Sequence, residues 1–243
     1  MKVAPKVVFL FRDREGFASA ILDSLHPNSP SSLRRLEDSF ELSLEGYGIT
    51  DHKASGNIFH YVDDQGIYQV SVVAMQHYEP PVISCAVNEV LAKIAGDKSS
   101  LTPTLLVPFI MESYKIKGES KSLTADESKT SLVYGIQIGE ETGISQTLVA
   151  ITLKPPSSLQ IYHETCACFL HFARVLKLST FFLIGQTGQH SRSKSTKGEL
   201  EILHAISEIL SSTTGLHFSK DKITWNPTMT AKESKEPWRA LYG

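Results

Sequence analysis

An α/β fold with a mostly parallel central sheet and helices on both faces is what this sequence predicts, and three observations carry it. Short apolar runs rich in β-branched and aromatic residues recur along the chain. Helical periodicity fills stretches between them, and the two kinds of segment alternate rather than separate into blocks. With 243 residues and 41% hydrophobic content, the chain can enclose the core of one such domain. Residues 1–212 are assigned to that domain and 213–243 to a polar tail, with a polar, Ser/Lys-rich insertion near 112–130.

The first run, Lys6 to Phe11, is a strand; the turn Arg12-Asp13-Arg14-Glu15-Gly16 leads into a helix ending near Leu25. Residues 26–56 hold two prolines, two glycines before position 50 and many serines, and read as an irregular connection with a weak helical stretch near Leu33 to Phe40. Ile58 to Val62 and Ile67 to Met75 predict a hairpin closed by Asp63-Asp64-Gln65-Gly66. Ile83, Ala86, Val87, Val90, Leu91 and Ile94 share one helix face, with Pro80-Pro81 at the start and Gly96 past the end. Strands follow at Thr104 to Met111, Leu132 to Ile138 and Thr147 to Leu153.

A long helix from Leu159 to Leu176 carries Leu159, Tyr162, Cys166, Phe169, Leu170, Ala173 and Leu176 on one stripe, and Cys168, Phe172 and Val175 on a second. A helix apolar on two sides is buried on two sides, so the second stripe meets either another layer of the same domain or a partner subunit. Thr180 to Ile184 is a compact strand, Gly185 to Gly198 a polar loop, and Leu200, Leu203, Ile206 and Leu210 the spine of a last helix.

Twenty-four basic and 26 acidic side chains leave a net charge of -2, so no global field draws nucleic acid or an anionic membrane. No apolar run reaches the ~18 residues of a membrane span, and Met1-Lys2-Val3-Ala4-Pro5 does not resemble a signal peptide. The three cysteines, Cys85, Cys166 and Cys168, fit a reducing compartment rather than a disulfide framework. A soluble protein of the cytoplasm, with the nucleus as a second location, is expected.

The candidate chemistry dissolves on inspection. His163, Cys166, Cys168 and His171 suggest a metal box, but Cys166 and Cys168 lie about 200° apart on a helix, so four ligands cannot converge on one ion. The loop Gly185 to Gly198 stands where doubly wound enzymes hold phosphate, yet Lys194-Ser195 follows Ser193 where a P-loop needs glycine. Anion binding, contact with an acidic surface and phosphorylation all stay open for it. No G-x-S-x-G elbow and no H-E-x-x-H pair occur. Asp63-Asp64 suit a turn, and His60 and His77 read as structural. No catalytic residue, metal or cofactor is expected.

The strand, helix and strand from Tyr68 through Pro80-Pro81 to Ile110, the helix and strand from Ala167 to Leu183, and the ending Leu241-Tyr242-Gly243 together resemble the proteasome assembly chaperone family, in its chaperone 1 branch. The ending looks like an HbYX tail: hydrophobic residue, tyrosine, any residue with a free carboxylate. The resemblance implies a three-layer α/β/α sandwich, phosphorylase-like but without catalysis. It also implies a heterodimer with a proteasome assembly chaperone 2-like protein, acting on the α ring of the 20S proteasome. Leu241, Tyr242 and Gly243 would then dock between α subunits. Cys168, Phe172 and Val175 are candidates for the partner contact. The rival readings are a small-molecule binder or nucleoside phosphorylase-like enzyme using Gly185 to Gly198, and a generic scaffold whose Tyr242 ending is accidental.

Overall fold

The computed structural model describes residues 1–13, 16–28, 32–96, 102–112, 116–117, 133–187 and 195–223. In chain order the elements are β1 (Lys6–Phe11), α1 (Phe17–Ser24), β2 (Leu25–His26), β3 (Arg34–Ser43), a 3-10 turn (Glu45–Tyr47), β4 (Lys53–Val62), β5 (Tyr68–Met75) and α2 (Val82–Ala95). They continue with β6 (Thr104–Glu112), β7 (Ile116–Lys117), β8 (Val133–Ile138), α3 (Gly143–Ile151), β9 (Gln160–Ile161) and α4 (Glu164–Val175). The series closes with β10 (Thr180–Thr187), α5 (Ser195–Thr214), β11 (His217–Phe218) and a 3-10 turn (Lys220–Lys222).

Seven strands form one sheet in the order β3-β4-β5-β1-β6-β10-β8. The four central strands, β5, β1, β6 and β10, run parallel, while β4 and β8 run against their neighbours. Alternation along each central strand separates two cores. Val7, Phe9, Leu105, Val107, Phe182 and Ile184 face α2 and α4. On the opposite face Val8, Leu10, Leu106, Phe181 and Leu183 meet α1, α3 and α5. The result is an α/β/α sandwich whose central strands are apolar on both faces, as parallel strands covered by helices must be.

The expected hairpin is present. Asp63 Oδ1 accepts the backbone N–H of Gln65 at 3.0 Å and of Ile67 at 2.9 Å, and Gly66 takes φ 78°, the left-handed region a side chain disfavours.

Three sequence expectations are corrected. The weak helix at Leu33 to Phe40 is instead the ten-residue edge strand β3, paired with β4 from Arg34 opposite Val62 to Ser43 opposite Lys53. Pairing along the whole strand outweighs a faint helical period. The strand expected at Thr147 to Leu153 lies largely in helix α3. Thr142 Oγ1 accepts the N–H of Ser145 at 3.2 Å while Ser145 Oγ accepts the N–H of Thr142 at 2.9 Å, a capping box that starts the helix upstream of the β-branched run. The helix expected from Leu159 begins only at Glu164, because Gln160–Ile161 pair with β7.

At the end of the described chain, α5 runs to Thr214 and β11 pairs with β2, so residues through Lys222 are folded against α1 and α5. The insertion near 112–130 lies mostly outside the described residues, apart from Glu112 and β7.

Candidate functional site

Helix α4 is fixed to the sheet by the stripe Cys166, Phe169 and Ala173, all 0% exposed. Phe169 does most of this anchoring, because its ring meets Phe9 edge-on at 4.9 Å, Phe11 at 5.6 Å and Phe182 at 5.8 Å. The ends of the helix are capped. His163 Nδ1 accepts the N–H of Cys166 at 3.3 Å, and at the other end Lys177 takes φ 54° so that Leu178 N–H reaches Ala173 C=O at 2.9 Å.

Anchored in this way, α4 carries Cys168, Phe172 and Val175 on a second face, away from the Cys166, Phe169 and Ala173 stripe and at the spacing of one helix face. The three differ in surroundings. Cys168 is half-buried, with Sγ 3.2 Å from Ser84 Oγ on α2. Phe172 is half-buried at the margin of the α2-side core, and Val175 is 60% exposed. Part of the second stripe is therefore occupied by the α2 layer of the same domain, and its end is open to solvent. Tyr162, 55% exposed, stands before the start of α4 and donates its hydroxyl to Gln160 Oε1 at 2.6 Å. Tyr47 is a further exposed aromatic, 41% exposed beside α2. Its hydroxyl donates to Glu89 Oε2 at 3.2 Å and accepts from Asn88 Nδ2 at 2.8 Å. Reasoning from the sequence missed Tyr47, since it sits in a stretch read as irregular.

Leu241, Tyr242 and Gly243 lie outside the described residues, as do Trp225, Trp238 and the rest of 224–243. The last described residue, Ile223, packs against the core beneath α1 and α5.

The loop Gly185 to Gly198 is shorter than the sequence suggested. Gly185, Gln186 and Thr187 belong to β10, where they pair with Ile110, Met111 and Glu112, and α5 already begins at Ser195. Residues 188–194, including Lys194, lie outside the described residues. Gly185 is a packing glycine: a Cβ there would collide with Ile202 Cγ2 and stand 3.3 Å from Ile206 Cδ1. Its role in helix and strand packing accounts for the missing side chain without any ligand.

The other titratable groups are held by local structure. His60 Nδ1 lies 2.9 Å from Ser71 Oγ, which also accepts the N–H of Ala4 at 2.8 Å, and the imidazole stacks on Tyr68 at 4.4 Å. Burial pushes the His60 pKa below its ordinary value, favouring the neutral ring. His77 Nε2 lies 3.1 Å from Glu79 Oε1 at the surface. Burial drives the Cys166 thiol far up, away from any nucleophilic thiolate. No group of three His, Cys, Asp or Glu side chains that could hold a metal occurs among the described residues. A recess of about 280 Å³ beside β3 is lined by Met1, Lys2, Asp38, Phe40, His60 and Tyr68. No helix among the described residues is long and apolar enough to cross a membrane.

Solved structures with this arrangement include two from Pyrococcus furiosus. PbaB, an archaeal proteasome activator, has a TM-score of 0.52 at 10% identity, over 100% of this chain and 96% of that one. PbaA, an archaeal homolog of proteasome-assembly chaperone, has 0.50 at 14% identity, over 100% and 94%. A protein of unknown function from Corynebacterium glutamicum has 0.52 at 8% identity, over 100% and 89%. At these identities the likeness is one of fold. No curated protein sequence matches the chain. A family model matches residues 1–243 from end to end, and the chain therefore belongs to the family described as Domain of unknown function (DUF7894).

Proposed function

We propose that the protein is a non-enzymatic chaperone of 20S proteasome α-ring assembly, working as a heterodimer with a proteasome assembly chaperone 2-like protein. The observation that carries this reading is the fold shared with PbaB and PbaA. Leu241, Tyr242 and Gly243 are the residues proposed to dock on the ring. In this reading the α/β/α body binds the partner through the outer side of α4, where Val175 stands open beside Phe172 and Cys168. Body and tail then act together on the ring. The site of action is the cytoplasm, with the nucleus as a second compartment.

The tail suits this role. The 20 residues 224–243 span at most about 70 Å when extended. Leu241 would bury its side chain, Tyr242 would add an aromatic surface and a hydroxyl, and the Gly243 carboxylate would pair with a lysine. Burying the leucine contributes about 1.5–3 kcal/mol, and ordering the segment offsets much of that, so the tail binds weakly by itself and the body supplies most of the affinity.

The test is co-purification of the tagged full chain and of a form lacking Leu241 to Gly243. Both forms are expected to recover the partner chaperone, and α subunits chiefly the full chain. Recovery of neither partner nor α subunits by the full chain refutes the reading. Of the loop on which the enzymatic alternative rests, Gly185 pairs within β10 against Ile202, and residues 188–194 lie outside the described residues.

A further inference from the structure

The two ends of the sheet differ. At β8 the outer edge is covered, because Gly135 N–H donates to Leu153 C=O and Leu153 N–H to Val133 C=O, both at 2.9 Å. At β3 the sheet ends, among the described residues, on a ten-residue strand with no strand beyond it and no bulge against β4. An uncovered regular edge is a template for further pairing, which proteins commonly blunt with charge. Residues Arg34 to Asp38 are all exposed, and they place two positive charges before Leu36 and two negative charges after it.

That order is self-complementary. In a two-fold antiparallel pair the axis passes through a pair of facing residues, so one residue must face its own copy and its neighbours on one side face those on the other. An axis at Arg35, Glu37 or Asp38 sets like charges face to face, and one at Ser39 sets Glu37 against Glu41. With the axis at Leu36, Leu36 meets Leu36 of the second copy, Arg34 meets Asp38, and Arg35 meets Glu37. Each charged residue from Arg34 to Asp38 then faces its opposite at the Cβ separation where cross-strand pairs interact. Leu36, 46% exposed, would be covered at the centre. Arg35 is already laid over the Phe59 ring at 4.3 Å, which holds its stem along the sheet.

We propose that a second copy of this chain docks on β3, two sheets joining into one through antiparallel pairing of Arg34 to Asp38 about an axis at Leu36. The contact lies at the far end of the sheet from β8, beside which α4 packs, so the outer side of α4 stays open in such a dimer. The inference does not depend on the proposed function, because it concerns the chain alone.

The test is sedimentation velocity of the full chain from about 1 to about 100 μM, the range in which weak interfaces assemble. Wild type should pass from monomer to dimer, and association should weaken at 1 M salt, where charges are screened beyond about 3 Å. Arg34→Glu/Arg35→Glu and Glu37→Arg/Asp38→Arg should each be monomeric, and an equimolar mixture should form a 1:1 dimer because all four facing pairs are again opposite in sign. Leu36→Asp, which sets two carboxylates face to face on the axis, should weaken wild-type association at least tenfold. A wild-type chain that stays monomeric at low salt, charge-reversed variants that do not associate with each other, or a Leu36→Asp dimer as tight as wild type would each overturn the proposal. None of these outcomes bears on recovery of α subunits.

Discussion

Replacing Gly185 by alanine pushes a methyl group into space that Ile202 of α5 already fills, with Ile206 close behind. Ile202 is 3% exposed and Gly185 is held on both sides by β6 and β8, so neither can step aside freely. Overpacking of this kind costs about 1–3 kcal/mol. Ile202→Ala alone opens a cavity and costs about 2–5 kcal/mol. In the double variant the new methyl group enters the space the isoleucine vacated, so the combined loss should fall short of the sum by about 1 kcal/mol or more. Urea unfolding of the four proteins, with unchanged m-values, measures this directly. Losses that add to within about 0.5 kcal/mol would refute the contact and reopen Gly185 as a glycine kept for a ligand.

Three further outcomes are expected. Val175→Asp, at a 60% exposed position, should change stability by no more than about 0.5 kcal/mol yet abolish recovery of the partner chaperone; retained recovery removes α4 from the interface. Phe169→Ala should cost about 3–5 kcal/mol in chemical denaturation, since it removes the ring that joins α4 to Phe9, Phe11 and Phe182; a loss under 1 kcal/mol would contradict that anchoring. Burial lowers the folded pKa of His60 below its ordinary 6.5, so the unfolded chain binds the proton first and stability should fall as pH drops below 6.5. His60→Gln should shallow that fall without removing it, because burial also lowers His26 and His204. An unchanged slope between pH 6.5 and about 5, above the carboxylate range, would show that His60 is not buried neutral.

The sequence revealed what the core dictates. β1, β6 and β10 were legible because strands covered on both faces must be apolar throughout, and α2 because its buried positions recur at helical spacing. β3 was not, since six of its first six residues are exposed and its identity comes from a partner strand far along the chain. α3 was misread because Thr147 to Leu153 favours a strand by composition while the signal that starts the helix, Thr142 with Ser145, uses serine where the usual pattern has Glu or Gln. The two-sided character of α4 was legible; which part of its second stripe α2 would take was not, because Ser84 against Cys168 is a tertiary contact. The charge order of Arg34 to Asp38 was visible all along, but it acquires meaning only once the segment is an outer strand.

The central claim concerns assembly of the α ring, and native electrophoresis of proteasome intermediates in cells depleted of this chain tests it most directly. The account predicts fewer completed 20S particles and accumulation of misassembled α rings, restored by the full chain and poorly by one lacking Leu241 to Gly243. An unchanged ladder of intermediates on depletion would contradict it.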